Sequence, residues 1–320
     1  MGFRALTHRG LAAATGAALA LSAAPAAFAA PASSARSAAT VSCVAANPAY
    51  ATLATKMAAD IQAKIRARRS TVGLEVTDSK TQITCAYQAA NHFYAASAVK
   101  VIILAALLRK AQEQHRSLTA NEKYLATRMI EISDNSAASA LWDELGVPYI
   151  QHFLNLAKMT HTRLNYAWGL TLLTAQDEIE LLKLLAEPST VLTPKSQAYE
   201  LYLMAHVTAS QRWGTPAGAP ADVVVHVKNG WLPYPSWQWE INSLGIFTQA
   251  AKSPNPARDY EMAILTYDNQ SMPYGVTTIE SIATVIHHDW NPGVAAAVPP
   301  SRPGPGWGVP DETIPASPRS

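Results

Sequence analysis

Residues 97–114 read SAVKVIILAALLRKAQEQ. From Ala98 to Leu108 every side chain except Lys100 is apolar, so a helix here is buried on all sides rather than along one stripe. The run is shorter than the ~20 apolar residues a bilayer span needs, and Lys100, Arg109 and Lys110 bound it. It reads as the central core helix of a globular domain. Its first turn also carries chemistry. Ser97 and Lys100, at i and i+3, place a hydroxyl and an amine on one helix face, one turn apart. At a helix start, free backbone N–H groups and the dipole favour developing negative charge. Burial disfavours the charged form of a lysine, and such an amine can accept a serine's proton. Alone, the same pattern also describes a capping serine beside a snorkelling lysine.

Working outward, Tyr50, Leu53, Met57, Ile61 and Ile65 recur at three and four residues, the spacing of an amphipathic helix. The period then drops to two over 71–77, turns at Asp78-Ser79-Lys80 and returns over 82–87, a hairpin. After the central helix, further helices are expected near 120–132, 136–145, 149–157, 175–186 and 194–208. Strands follow at 222–228, 238–248 and 260–267, and a closing helix at 277–288. This order predicts an α+β fold: an antiparallel sheet flanked by the terminal helices, with an all-helical lobe inserted between its halves. A ligand cleft is expected between sheet and lobe.

The ends differ from this middle. Residues 1–29 read as a secretory signal: Arg4, His8 and Arg9, an Ala/Leu run from Gly10, and Ala27-Phe28-Ala29 as the cleavage site. A lead-in over 30–44 and a Pro- and Gly-rich flexible tail over 291–320 bracket a domain at 45–290, with Trp307 as the one residue able to dock the tail. The formal charge of +2 comes from Arg4 and Arg9; without them the basic residues balance the 23 acidic ones. That balance excludes a nucleic-acid or anionic-lipid footprint. The expectation is a secreted or cell-wall-associated monomer without an integral membrane anchor. Cys43 and Cys85, the two cysteines, most simply form one disulfide in an oxidising compartment. Such a closure stabilises by up to roughly 4 kcal/mol in the chain-entropy picture.

Two further triplets matter. Ser133-Asp134-Asn135 falls between helices, where all three are ordinary capping residues. Lys228-Asn229-Gly230 ends a valine-rich strand, where a turn glycine is unremarkable. In this order and on these elements, Ser-x-x-Lys, Ser-Asp-Asn and Lys-x-Gly form a pattern that resembles class A β-lactamases and the related penicillin-binding peptidases, over roughly residues 45–290. The resemblance implies Ser97 as acylated nucleophile and Lys100 as its base. Ser133 and Lys228 would pass a proton to the leaving nitrogen. Asn135 would hold Lys100 and the substrate amide, Asp134 would be a buried anchor, and the N–H groups of Ser97 and Trp231 would form an oxyanion hole. Asn229, Gly230 and Trp231 would line the substrate. No metal cluster is read among the nine His residues, His287 and His288 are expected at the surface, and no cofactor is implied.

The chain also departs from that family. After Thr162-Arg-Leu-Asn165 no carboxylate occurs until Asp177, so the glutamate that activates the deacylating water is missing from its place. Asp177 and Glu178 are expected as capping or surface acids. Asn229 replaces a hydroxyl residue, no Arg or Lys occurs from Asn229 to Ala251, and the short span from Ser97 to Ser133 opens one rim of the cleft. Trp231, Tyr234, Trp237 and Trp239 form either core or a substrate-facing rim. His226 shares a strand face with Lys228 and is either a packing residue or a substitute base. The functional expectation is an exported serine hydrolase acylated at Ser97 by a β-lactam or related amide or ester and hydrolysed by water. The alternatives are a peptidoglycan peptidase or penicillin-binding protein, or a non-catalytic wall-binding module.

Overall fold

The computed structural model describes residues 39–233, 238–250 and 259–302. A six-stranded antiparallel sheet runs in the order β1 (Ser42–Ala45), β3 (Ile83–Tyr87), β2 (Thr71–Asp78), β8 (Tyr260–Asn269), β7 (Trp239–Gln249), β6 (Val223–Pro233). The hairpin expected from period-two patterning over 71–87 is present as β2 and β3, and the three later strands pair as expected of an antiparallel sheet. A second, two-stranded piece joins β4 (Phe93–Tyr94) to β5 (Leu172–Leu173).

Alternation of side chains sorts the two faces. Tyr260 on β8 packs on α8 (Met272–Trp290), where its hydroxyl meets His287 Nδ1 at 2.8 Å. Glu261, one residue on, faces the other way. The first helix, α1 (Ala51–Arg66), buries Ala54, Met57, Ile61 and Ile65 along one stripe and packs against α8, with Lys56 ion-paired to Asp289. The lobe comprises α2 (Lys100–Glu113), α3 (Ala120–Glu131), α4 (Asn135–Leu145), α5 (Val147–Leu156), α6 (Ala175–Ala186) and α7 (Pro194–Ala205). Of these, α6 packs against β2, β7 and β8, and α7 against β6. All nine residues from Lys100 to Leu108 are at most 5% exposed, as an all-round apolar helix requires. Among the described residues no helix is long and apolar enough to cross a membrane.

Several expectations need correction. The segment from Ser97 does not start an α-helix directly. Ala96–Val99 is a 3₁₀ turn, entered through Ala96 at φ 45°, and α2 follows at Lys100. The fold begins before residue 45: Val41 is buried, and β1 pairs with β3 in a register that sets Cys43 opposite Cys85, where they form the disulfide. The tail is not loose from residue 291. Ala297 and Val298 N–H donate to the Ala219 carbonyl, Gly218 N–H donates to the Val298 carbonyl, and Ser301 N–H reaches the Glu280 carboxylate at 3.1 Å. Backbone hydrogen bonds, which composition does not reveal, hold it. Trp307, Tyr234, Trp237 and the expected signal at 1–29 lie outside the described residues.

Candidate active site

Strand β6 is an edge of the sheet, so half of its N–H and C=O groups have no neighbouring strand. The 3₁₀ turn carrying Ser97 packs against it. Gly230 is where they meet: a Cβ there would lie 2.6 Å from the Ala95 carbonyl oxygen, 2.7 Å from Ala98 N and 2.9 Å from Ser97 N. Only a hydrogen at this position lets the β6 backbone at 230–231 approach the amide of Ser97. Ser97 itself is half-buried. Asn242 on β7, paired with Gly230, donates to the Tyr94 and Ala95 carbonyls at 2.8 and 3.2 Å and pins the turn from behind.

Ser133 is the hub. Its Oγ accepts from Lys228 Nζ at 2.9 Å and from Lys100 Nζ at 3.1 Å. Lys100 Nζ also donates to the Ser133 carbonyl and to Asn135 Oδ1, both at 2.6 Å. With both oxygen lone pairs receiving donors, the Ser133 O–H proton is the one it has to give. Its backbone sits at φ 59°, a costly conformation for a serine, of the kind held in place at functional sites. Asp134 caps α4 through Ala137 N and holds Arg128 Nε at 2.6 Å, so the anchor role expected for it is structural. Burial with no acidic partner pulls the Lys228 ammonium down to about 7. Two buried amines thus share one hydroxyl.

A hydroxyl, two buried amines and a turn of backbone N–H groups are chemically able to carry out acyl transfer, and sequence comparison gives the family. The profile of the β-lactamase enzyme family matches residues 56–124 and 119–290. The chain belongs to that family. It is thereby a serine hydrolase of β-lactamase type, and solved structures share its α+β fold. A class A β-lactamase from Bacteroides cellulosilyticus superposes with TM-score 0.63 at 17% identity, over 74% of this chain and 98% of that one. A β-lactamase from Desulfarculus baarsii gives 0.61 at 20%, over 75% and 98%. A point mutant of the protein PBP-A, solved as an acyl-enzyme complex with penicillin G, gives 0.62 at 18%, over 75% and 96%. None of the curated proteins compared matches the chain.

Against the family pattern, other expected residues fall elsewhere. Asn229 alternates with Lys228 and so faces away from it. Its Nδ2 donates to the Gln211 and Trp213 carbonyls at 2.8 and 2.9 Å, and its Oδ1 is buried without a partner. Asn229 straps a loop and presents no donor to the cleft. The Trp231 side chain shares that face and meets Trp213 edge-on at 5.9 Å, leaving its backbone as the part near Ser97. His226 is an anchor: its ring nitrogens meet the Leu201 carbonyl at 2.7 Å and Thr248 Oγ1 at 3.0 Å, and burial lowers its pKa. His287 is buried in the core, not at the surface, and burial pushes it down to about 4. Among the described residues no group of His, Cys, Asp and Glu is placed to hold a metal.

The segment after α5 is closed by Asp177, whose carboxylate accepts from the backbone N–H groups of His161 and Thr162 at 2.8 and 2.6 Å. Asp177 and Glu178 are therefore buried, not surface acids; Glu178 has no hydrogen-bond partner on either oxygen, and burial pushes its carboxyl well above the ordinary carboxylate range. Sequence reading missed Trp168. Its ring lies 5.0 Å from Lys100 Nζ and its Nε1 donates to Ser139 Oγ at 3.0 Å. Its only local signal was being a tryptophan in a short polar loop.

Proposed function

We propose that this chain is an exported enzyme acylated at Ser97 by a β-lactam or a related amide or ester, and that it releases the acyl group slowly. Ser97 Oγ adds to the carbonyl carbon, and its proton passes to the amine of Lys100. The oxyanion is held between the amides of Ser97 and Trp231, each such donor contributing roughly 2.7–4 kcal/mol to the transition state. The carbon–nitrogen bond then breaks as Ser133 O–H gives its proton to the leaving nitrogen, replenished through Lys100 or Lys228. Asn135, tied to Lys100, positions the acyl amide. The observation that carries this reading is the Ser133 hydroxyl held between two buried lysines beside the Gly230–Ser97 contact.

Slow release has its own support. No carboxylate stands in the 158–171 segment, and Trp168 covers Lys100 there. A penicillin-binding peptidase fits that arrangement better than a fast β-lactamase, and export would place it beside the cell wall. Chromogenic cephalosporin turnover and labelling by a fluorescent penicillin test it together. Labelling that is lost in Ser97→Ala with slow wild-type turnover is expected; labelling that survives Ser97→Ala sinks the assignment.

A further inference from the structure

Beyond the catalytic cluster, a cavity of about 340 Å³ opens where β7 begins and β8 ends, beside the β4–β5 pair, walled by Tyr94, Trp239 and Tyr267, lined also by His92, and bearing the carboxyls of Glu240 and Asp268. No Lys or Arg is among its described lining residues. Glu240 is 4% exposed, and its Oε1 accepts the Tyr94 backbone N–H. No protein donor meets Oε2, which is not sealed in the interior either and so opens on the cavity. Asp268 accepts one bond, from Thr71 Oγ1 at 3.1 Å. Two carboxyls and three aromatic walls, with no Lys or Arg and with the His92 ring tied to the His161 carbonyl at 2.8 Å, make a site rich in groups that attract cations. Aromatic faces and carboxylates both attract ammonium groups.

Its place along the strand says which part of a substrate arrives there. Lys228 and Ser133 mark the leaving-group end of the cleft. Moving up β6 past Gly230 reaches Leu232, which pairs with Glu240. By alternation Lys228, Gly230, Glu240 and Asn242 share one sheet face, the one against the nucleophile turn. Tyr94 lies three residues before Ser97 on that turn. The cavity is thus on the acyl side of the bond to be broken, about two residues, or ~7 Å, beyond the oxyanion position.

Resting on the acyl-enzyme reading above, we propose that this cavity is the subsite for the acyl half of the substrate and selects an acyl group carrying an ammonium. Burial, with Asp268 adding to it, raises the Glu240 carboxyl to about 8, a cost that a bound cation offsets.

Two probes test this independently. Benzylpenicillin and its α-amino counterpart differ only by an amino group on the acyl side chain, and intact mass gives their acylation rates. Wild type should favour the amino form by roughly fivefold or more, and the ratio should fall to about one in Glu240→Gln, which keeps an acceptor for Tyr94 N–H, and move the same way in Asp268→Asn. Equal rates in wild type, or a preference that survives both variants, overturns the proposal. Saturation-transfer NMR with benzyltrimethylammonium against benzyl alcohol needs no acylation, and Ser97→Ala should bind the cation as wild type does. Cation binding lost in Glu240→Gln supports the subsite even if neither penicillin acylates, in which case the acyl-enzyme reading alone fails. Acylation without discrimination by either probe removes the subsite and leaves that reading standing.

Discussion

The Ser133 hub and the 158–171 segment lie on either side of Lys100 and are built oppositely. At the hub, polar groups converge: two lysine nitrogens, a hydroxyl, a carbonyl and an amide oxygen, all between 2.6 and 3.1 Å. Across Lys100, an indole ring packs over the amine, and Asp177, which closes the segment, is spent on holding backbone N–H groups. Forming an acyl-enzyme and destroying it are separate tasks with separate groups. On the reading proposed above, this chain is equipped for the first.

The largest way to break the comparison is at the hub. Lys228→Met should cut acylation by about a thousandfold, within the range for loss of acid–base assistance, while making the fold more stable. Burial holds Lys228 near 7 against an ordinary 10.5, so between these values the unfolded chain binds more protons and stability rises with pH. The gain from Lys228→Met is therefore largest below pH 7 and gone by about pH 10.5, as denaturant titrations across that range will register. Next in size is Gly230→Ala. A methyl group driven between Ala95 O, Ala98 N and Ser97 N shifts the nucleophile by a fraction of an ångström to an ångström, and acylation should fall about 100-fold.

Much of this was legible because it is local. Spacing at three and four residues found α1, alternation found the β2–β3 hairpin, and three short motifs located Ser97, Lys100, Ser133, Asn135, Lys228 and Gly230. The same alternation that placed His226 beside Lys228 also turns Asn229 away, so its strap role was half readable; the carbonyls it binds, 16 and 18 residues earlier, were not. Asp177 and Glu178 read as capping or surface acids, and His287 as a surface residue, because their types usually are. Their burial arises from α6 packing against the sheet and from a ring held between Tyr260 and Thr215. The docking of residues 296–301 rests mainly on backbone bonds, which do not depend on residue type and so leave no mark in composition.

Glu261, on the sheet face opposite Tyr260, gives a control of opposite sign. Burial raises it to about 8, so the folded state binds the extra proton and stability falls as pH rises from the ordinary 4.5 toward 8. Glu261→Gln should stabilise the fold above about pH 8 and leave it unchanged below about pH 4.5, with acylation unaltered. The smallest effect is expected across Lys100: Trp168→Phe keeps a ring over the amine and loses only the bond to Ser139, so acylation should change by no more than about threefold. A larger drop would mean that the loop contributes to acylation and that the two halves are not separate.

The central claim is that Ser97 is acylated readily and released slowly. Intact mass of the protein mixed with benzylpenicillin, followed from seconds to hours, reads both steps at once. One penicilloyl adduct on the peptide bearing Ser97, forming at least about 100 times faster than it decays, is the predicted result. Rapid hydrolysis of penicillin with no accumulating adduct, or no adduct at any time, contradicts it.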